Sequence, residues 1–226
     1  MRRALAIGAL FACAATVADA RAERCFGGPM TPRPIIRAEG RVSGAGGIIV
    51  IGDSMPGWRF RAINESVRPD VEVLAPGLAI FHPPPLPGDD IVLEDTDHRV
   101  IARATRVFTI EPPLAAPTVT KVVSQTAYGT YTFVTATLTG AAPKTARALI
   151  VSRVERDRVV PLSWGTVLGE PTDIQVWHSP RGCDETITGW LQPRRGDRVV
   201  LRWVDDAGRV SEPSKPLVIS EAPPRK

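Results

Sequence analysis

The sequence predicts an all-β chain of β-sandwich type, and three observations carry that prediction. Four of the five tryptophans, Trp164, Trp177, Trp190 and Trp203, recur at intervals of 13 residues. Turn-prone clusters separate them: Gly169-Glu170-Pro171, Pro180-Arg181-Gly182 and Arg194-Arg195-Gly196-Asp197. Strand, turn and strand at that pace fit a small sandwich. Residues alternate along two stretches, Trp58, Phe60 and Ala62 with Arg59 and Arg61, then Val199, Leu201 and Trp203 with Arg198, Val200 and Arg202. Period two is the mark of a sheet with one wet face. No long stretch repeats at 3.6 residues, and the 22 prolines are spread along the chain, where each would interrupt a helix.

Residues 1–20 read as an export signal. Arg2-Arg3 is a basic n-region, and Ala4 to Val17 is an apolar run too short for a stable membrane span. Ala18-Asp19-Ala20 has the A-x-A form of a cleavage site, which places cleavage after Ala20. A retained anchor and lipid attachment at Cys13 are the alternatives. Export predicts a periplasmic or extracellular location. No later apolar run reaches membrane-spanning length, so no integral membrane segment is expected in the mature chain. The formal charge of +4 becomes +3 once Arg2, Arg3 and Asp19 are removed. It is spread along the chain, which argues against a nucleic-acid partner, for which a clustered basic stripe is needed. The mature chain keeps Cys25 and Cys183. Two cysteines in an exported protein most often pair with each other, and a bridge over so long a loop is worth about 5 kcal/mol by chain entropy. Free or intermolecular thiols are the alternative.

The mature length of about 205 residues allows one large or two small domains. Glu111-Pro112-Pro113-Leu114-Ala115-Ala116-Pro117 marks the boundary, because proline cannot donate to a sheet ladder. Residues 21–111 form the first predicted domain, 112–117 the linker, 118–220 the second domain and 221–226 a disordered tail. Strands are expected near 35–38, 47–51, 58–63, 71–74, 79–82, 91–93 and 100–108. In the second domain they are expected near 118–124, 131–139, 146–153, 158–164, 173–178, 186–191, 198–204 and 216–220. About seven strands per half is the count of two immunoglobulin-like sandwiches in series.

The run Thr188-Gly189-Trp190-Leu191-Gln192-Pro193, then Arg198 to Trp203, Asp206-Ala207-Gly208 and Ser211-Glu212-Pro213-Ser214 resembles the end of a fibronectin type III domain. In that family an apolar residue shortly before a proline plugs the core. The next strand alternates, and a D-x-G turn leads to a last strand after a Ser/Pro stretch. The resemblance is clearest over Thr186–Ile219. Arg198-Val199 stands where the family has its usual tyrosine. Pro87-Gly88 before residues 91–93, with Val107-Phe108-Thr109, resembles more weakly the end of a bacterial immunoglobulin-like module. The resemblance implies two such sandwiches in tandem.

Four groups of residues are candidates for chemistry or binding. Ile49-Val50-Ile51-Gly52-Asp53-Ser54 resembles the nucleophile block of GDS-type ester hydrolases, and Asp95-Thr96-Asp97-His98 has the spacing of that family's late Asp-x-x-His block. His98 follows Ser54 too closely for that family's long α/β layout, no oxyanion asparagine accompanies it, and the helices of a parallel sheet are missing. The run therefore reads as a strand followed by a polar turn. The acidic stretch from Gly88 to His98 offers hard oxygen ligands for calcium, and His82 with His98 a softer set, but without a regular ligand spacing. Solvated hairpin turns are the simpler reading, and no metal or cofactor is expected. His178, beside Trp177, reads as a strand-end residue. Of the tryptophans, Trp190 and Trp203 are expected in the core. Trp164 and Trp177 stay open between packing and a platform for sugar rings or a partner protein.

The expectation is thus an exported, non-catalytic binding or structural module whose partner is a protein or polysaccharide of the cell envelope. The alternative is a small secreted ester hydrolase using Ser54.

Overall fold

The computed structural model describes residues 33–35, 41–43, 46–52, 57–61, 66–85, 90–107, 112–127, 131–156, 158–177 and 193–222, and all of them belong to one compact unit. No helix occurs among them. The strands in the N-terminal half are β1 (Arg33–Ile35), β2 (Arg41–Ser43), β3 (Ile48–Ile51), β4 (Arg59–Arg61), β5 (Ser66–Val67), β6 (Asp70–Ala75), β7 (Leu78–His82), β8 (Asp90–Glu94) and β9 (Val100–Val107). They form two sheets, β1-β3-β7-β6 and β2-β9-β8-β4-β5, antiparallel except where β2 meets β9. The C-terminal half contains β10 (Val119–Ala127), β11 (Tyr131–Leu138), β12 (Ala146–Glu155), β13 (Arg158–Thr166), β14 (Asp173–Trp177), β15 (Arg198–Asp205), β16 (Leu217–Val218) and β17 (Ser220–Glu221). Its sheets are β14-β11-β10-β17 and β13-β12-β15-β16, with β10 and β17 parallel.

Three apolar cores lie between these four sheets. The first joins Ile48, Val50, Ala79 and Phe81 to Trp58, Phe60, Ile91, Leu93, Ala102 and Ala104, and so fills the space between the two N-terminal sheets. Trp58 meets Phe81 edge to face, with ring centroids 6.3 Å apart. Another lies between the two C-terminal sheets, where Val134, Ala136, Ile174 and Val176 face Leu149, Val151, Leu162, Val199, Leu201 and Trp203. The remaining core joins the halves: Ile49, Ile51, Leu74, Leu78 and Ile80 from the first pack on Ala148, Ile150 and Val204 from the second, flanked by Trp164 and Val210. The described chain is therefore a stack of four sheets with apolar filling at each of its three boundaries.

The stack explains why one expected strand does not alternate. Strand β3 is apolar at every position and buried at every position, because Ile48 and Val50 face one core while Ile49 and Ile51 face the next. Strand β7 divides likewise, Ala79 and Phe81 against Leu78 and Ile80. A continuous hydrophobic run marks a sheet covered on both sides. Here the covers are sheets, not the helices of an α/β fold. Each fully buried Leu, Ile or Phe contributes about 1.5–3 kcal/mol, so the middle core is a substantial part of the whole. On β15 the face opposite Trp203 is not wholly wet, since Val200 and Val204 are both buried there.

Close backbone contacts reinforce the middle boundary. Gly47 N donates to Ala207 O at 3.2 Å, and Trp164 Nε1 donates to Pro76 O at 2.9 Å. The proline-rich stretch 112–117 forms no ladder but is held: Leu114 packs against the C-terminal core, Pro117 is buried, and Arg209 Nη1 donates to Pro112 O at 2.9 Å. Strands β2 and β5, only two or three residues long, are additions to the sequence expectation. The expected strand near 186–191 lies outside the described residues.

Candidate functional site

The acidic stretch that offered itself as a metal or catalytic block closes the hairpin between β8 and β9. Asp95 Oδ1 accepts hydrogen bonds from Asp97 N at 2.8 Å and Arg99 N at 2.9 Å, while Asp95 N donates to Arg99 O and His98 N to Asp95 O. This is an aspartate used as a turn-former, its short acceptor taking up backbone donors that the bend leaves unpaired. His98 occupies the left-handed position of the turn, with φ 62°. Histidine is among the residues that tolerate this region.

The same turn recurs between β15 and the segment leading to β16. Asp205 Oδ1 accepts from Ala207 N at 3.0 Å and Arg209 N at 2.9 Å; Asp205 N donates to Arg209 O, and Gly208 N to Asp205 O. Gly208 takes the left-handed position, with φ 72°. The two loops share Asp first, Arg fifth and a left-handed fourth residue. In the second the arginine also folds back, Arg209 Nε and Nη2 donating to Asp205 Oδ2 at 2.8 and 2.6 Å.

Around His98 the fold gathers a cluster that the sequence reading did not assemble. Glu94, almost fully buried, forms an ion pair with Arg61, and its Oε2 stands 3.5 Å from His98 Nδ1. Ser66 Oγ stands 3.5 Å from that same Nδ1. A serine, a histidine and a carboxylate are thus neighbours, but they are not wired as a relay. In a relay the base takes the serine proton on one ring nitrogen, and the acid holds the other. Here serine and carboxylate share one nitrogen, at the outer limit of hydrogen-bond distance, so neither orients the ring for the other. No local pattern in the sequence points to this cluster, which β4, β5, β8 and the turn after β8 assemble through strand register.

His82 is separate. Its Nε2 lies 3.1 Å from Glu72 Oε2 on the neighbouring strand, and its Nδ1 lies 3.4 Å from Gly46 O. Among the described residues no three His, Cys, Asp or Glu side chains converge as a metal site. Ser54, His178, Cys25, Cys183 and Trp190 lie outside the described residues. Trp177 ends β14 opposite Phe133 in register, and its side chain lies outside the described residues. Trp203 is buried in the C-terminal core. Trp164 is half-buried against the middle core, with its indole N–H held by Pro76, so its ring bridges the two halves. A depression of about 330 Å³ lies beside Ala115, Ala116, Leu138, Pro143 and Trp203. No helix among the described residues is long and apolar enough to cross a membrane. No protein-family model matches the chain, and no curated protein matches it.

Proposed function

We propose that this chain is an exported, non-catalytic binding or structural module of the cell envelope, built from two immunoglobulin-like sandwiches in series. The observation that carries this reading is the use made of the polar groups most suggestive of chemistry. Asp95 and Asp205 spend their carboxylates on turn backbone, and His98 meets Ser66 and Glu94 through a single nitrogen. The order of strands supports the immunoglobulin-like part. In that architecture the first, second, fourth and fifth strands of the sandwich form one sheet, and the third, sixth and seventh form the other. Setting aside the short β2 and β5, the N-terminal half groups β1, β3, β6 and β7 against β4, β8 and β9. The C-terminal half groups β10, β11 and β14 against β12, β13, β15 and β16, as when a strand after the third joins its sheet.

Under this reading residues 1–20 are removed on export, and Cys25 pairs with Cys183. Peptide mapping without reductant tests the bridge, and two freely alkylated thiols would refute it. The functional reading predicts no ester hydrolysis by the purified mature protein above that of Ser54→Ala. It also predicts retention of the protein on an isolated envelope fraction, protein or polysaccharide. Hydrolysis abolished by Ser54→Ala would replace the module with a small secreted hydrolase.

A further inference from the structure

Strand β6 is an edge of its sheet, bonded to β7 on one side and to no other described strand on the other. Its first four residues, Asp70-Val71-Glu72-Val73, are all exposed. The register decides what each exposed side chain faces. Val71 lies opposite Phe81 and Val73 opposite Ala79, both members of the N-terminal core. The two valines therefore continue that core to its open side, where they are 38% and 62% exposed. Asp70 and Glu72 point to the other face, in register with His82 and Ile80. Edge strands are commonly guarded by lysine or an inward-pointing charge. Lysine is absent here: Val71 and Val73 lie on the face of the N-terminal core, while Asp70 and Glu72 lie on the face of the middle core, where Glu72 also meets His82.

We infer that the free edge of β6 takes up an extended segment of another protein in which apolar and cationic residues alternate, adding it as a further strand. The inference rests on the binding-module reading and names the surface and the partner chemistry. An added strand would recover the backbone hydrogen bonds open along the edge, and its side chains would divide between the faces as those of β6 do. Apolar residues at alternate positions would lie beside Val71 and Val73 and lengthen the core. Lysine or arginine at the positions between would lie beside Asp70 and Glu72, where opposite charges across a strand pair are favourable. A second copy of β6 fits poorly in the antiparallel registers centred on Asp70, Val71 or Glu72. Antiparallel self-pairing centred on Val71 sets Asp70 against Glu72, and centring on Glu72 sets Glu72 against itself. Centring on Asp70 brings Pro69, which has no donor, into the ladder.

The test is binding of fluorescent peptides of about six residues, the length of a common strand, to the mature protein. A peptide alternating Lys and Val is compared with one alternating Glu and Val, one with the same Lys and Val residues in two blocks, and a Lys/Val peptide N-methylated along one edge. The alternating Lys/Val peptide should bind and shift the amide resonances of residues 70–73, with the other three at least about tenfold weaker, a difference of about 1.4 kcal/mol. Val73→Lys should weaken binding by a similar factor, whereas Leu168→Lys, a change at an exposed leucine outside this edge, should not. No binding, equal binding of the Glu/Val or block peptide, or indifference to Val73→Lys would each overturn the inference. Concentration-dependent dimers that Val73→Lys dissolves would also overturn it, in favour of self-association. Retention on the envelope fraction that survives Val73→Lys would leave the binding-module reading standing and remove only this edge from it.

Discussion

Gly208 and Gly47 meet backbone to backbone where the two halves of the chain join. A Cβ built on Gly208 would stand 2.7 Å from the Gly47 nitrogen and closer still to its carbonyl oxygen, and Gly208 itself has φ +72°. Gly169 has nearly the same angle, φ +71°, with nothing near its missing side chain. The pair separates conformational cost from crowding. Gly169→Ala should cost about 1 kcal/mol, the penalty of a left-handed alanine. Gly208→Ala should cost about 3 kcal/mol, because backbone on the opposing side must also move. Urea unfolding of both variants checks this, and equal costs would mean that the boundary between the halves yields freely.

Trp164 tests the same boundary from its rim. Its ring packs on the middle core and its N–H donates to Pro76 O. Trp164→Ala should destabilise by about 2–3 kcal/mol, below the range for a fully buried tryptophan because the ring is half-exposed. Trp164→Phe should cost about 1 kcal/mol, chiefly for the lost hydrogen bond. A ring that served only to stack ligands would leave the unfolding midpoint unchanged in both.

Much of the strand layout was legible because alternation and turn chemistry are local. Strands β3, β4, β7, β8, β9, β11, β12, β13 and β15 lie where the pattern of residues put them. Strands β2 and β5 were not legible, since two or three residues carry no periodicity. The four-sheet stack left a trace in the unbroken apolar run of β3, but such a run says only that both faces are covered, not by what. The cluster of Arg61, Ser66, Glu94 and His98 was invisible for a different reason. It joins three strands and a turn through long-range register, whereas the motif reading paired His98 with the serine that followed a hydrophobic strand. The repeated turn could have been read directly, from Asp95 and Arg99 set beside Asp205 and Arg209 at the same spacing.

Among the described residues, Glu155 is the group whose surroundings give a direction to its acid dependence. Hydrogen bonds from Arg153 and, next in weight, from Arg158 hold its carboxyl below the usual glutamate range. A depressed folded value means that the carboxylate's contribution is fully present above the unfolded value, near 4.3, and is lost as pH falls through the folded one. The side chain is partly exposed at the surface, so the effect on stability should be slight and should fade in salt. Carbon-detected titration should place the Glu155 midpoint below that of a model glutamate. Arg153→Gln should raise it more than Arg158→Gln does, and the reverse order would show Arg158 to be the stronger partner.

The twin turns give the sharpest comparison, because equal geometry stands in unequal surroundings. Asp95 is partly exposed, and its carboxylate serves two backbone donors. Asp205 is fully buried and also carries the Arg209 guanidinium, which in turn holds the Pro112 carbonyl. Removing a partly solvated acceptor lets water replace it, so Asp95→Ala should cost about 1 kcal/mol. Removing the buried one takes the carboxylate away from a half-buried cation and from two backbone N–H groups, and Asp205→Ala should cost about 3–5 kcal/mol. Arg209→Ala added to Asp205→Ala should cost less than the sum of the two single changes, since the two side chains share one ion pair. Chemical unfolding of the four variants measures all of this. Equal losses for Asp95 and Asp205 would mean that the turn, and not the burial of its ion pair, sets the energy.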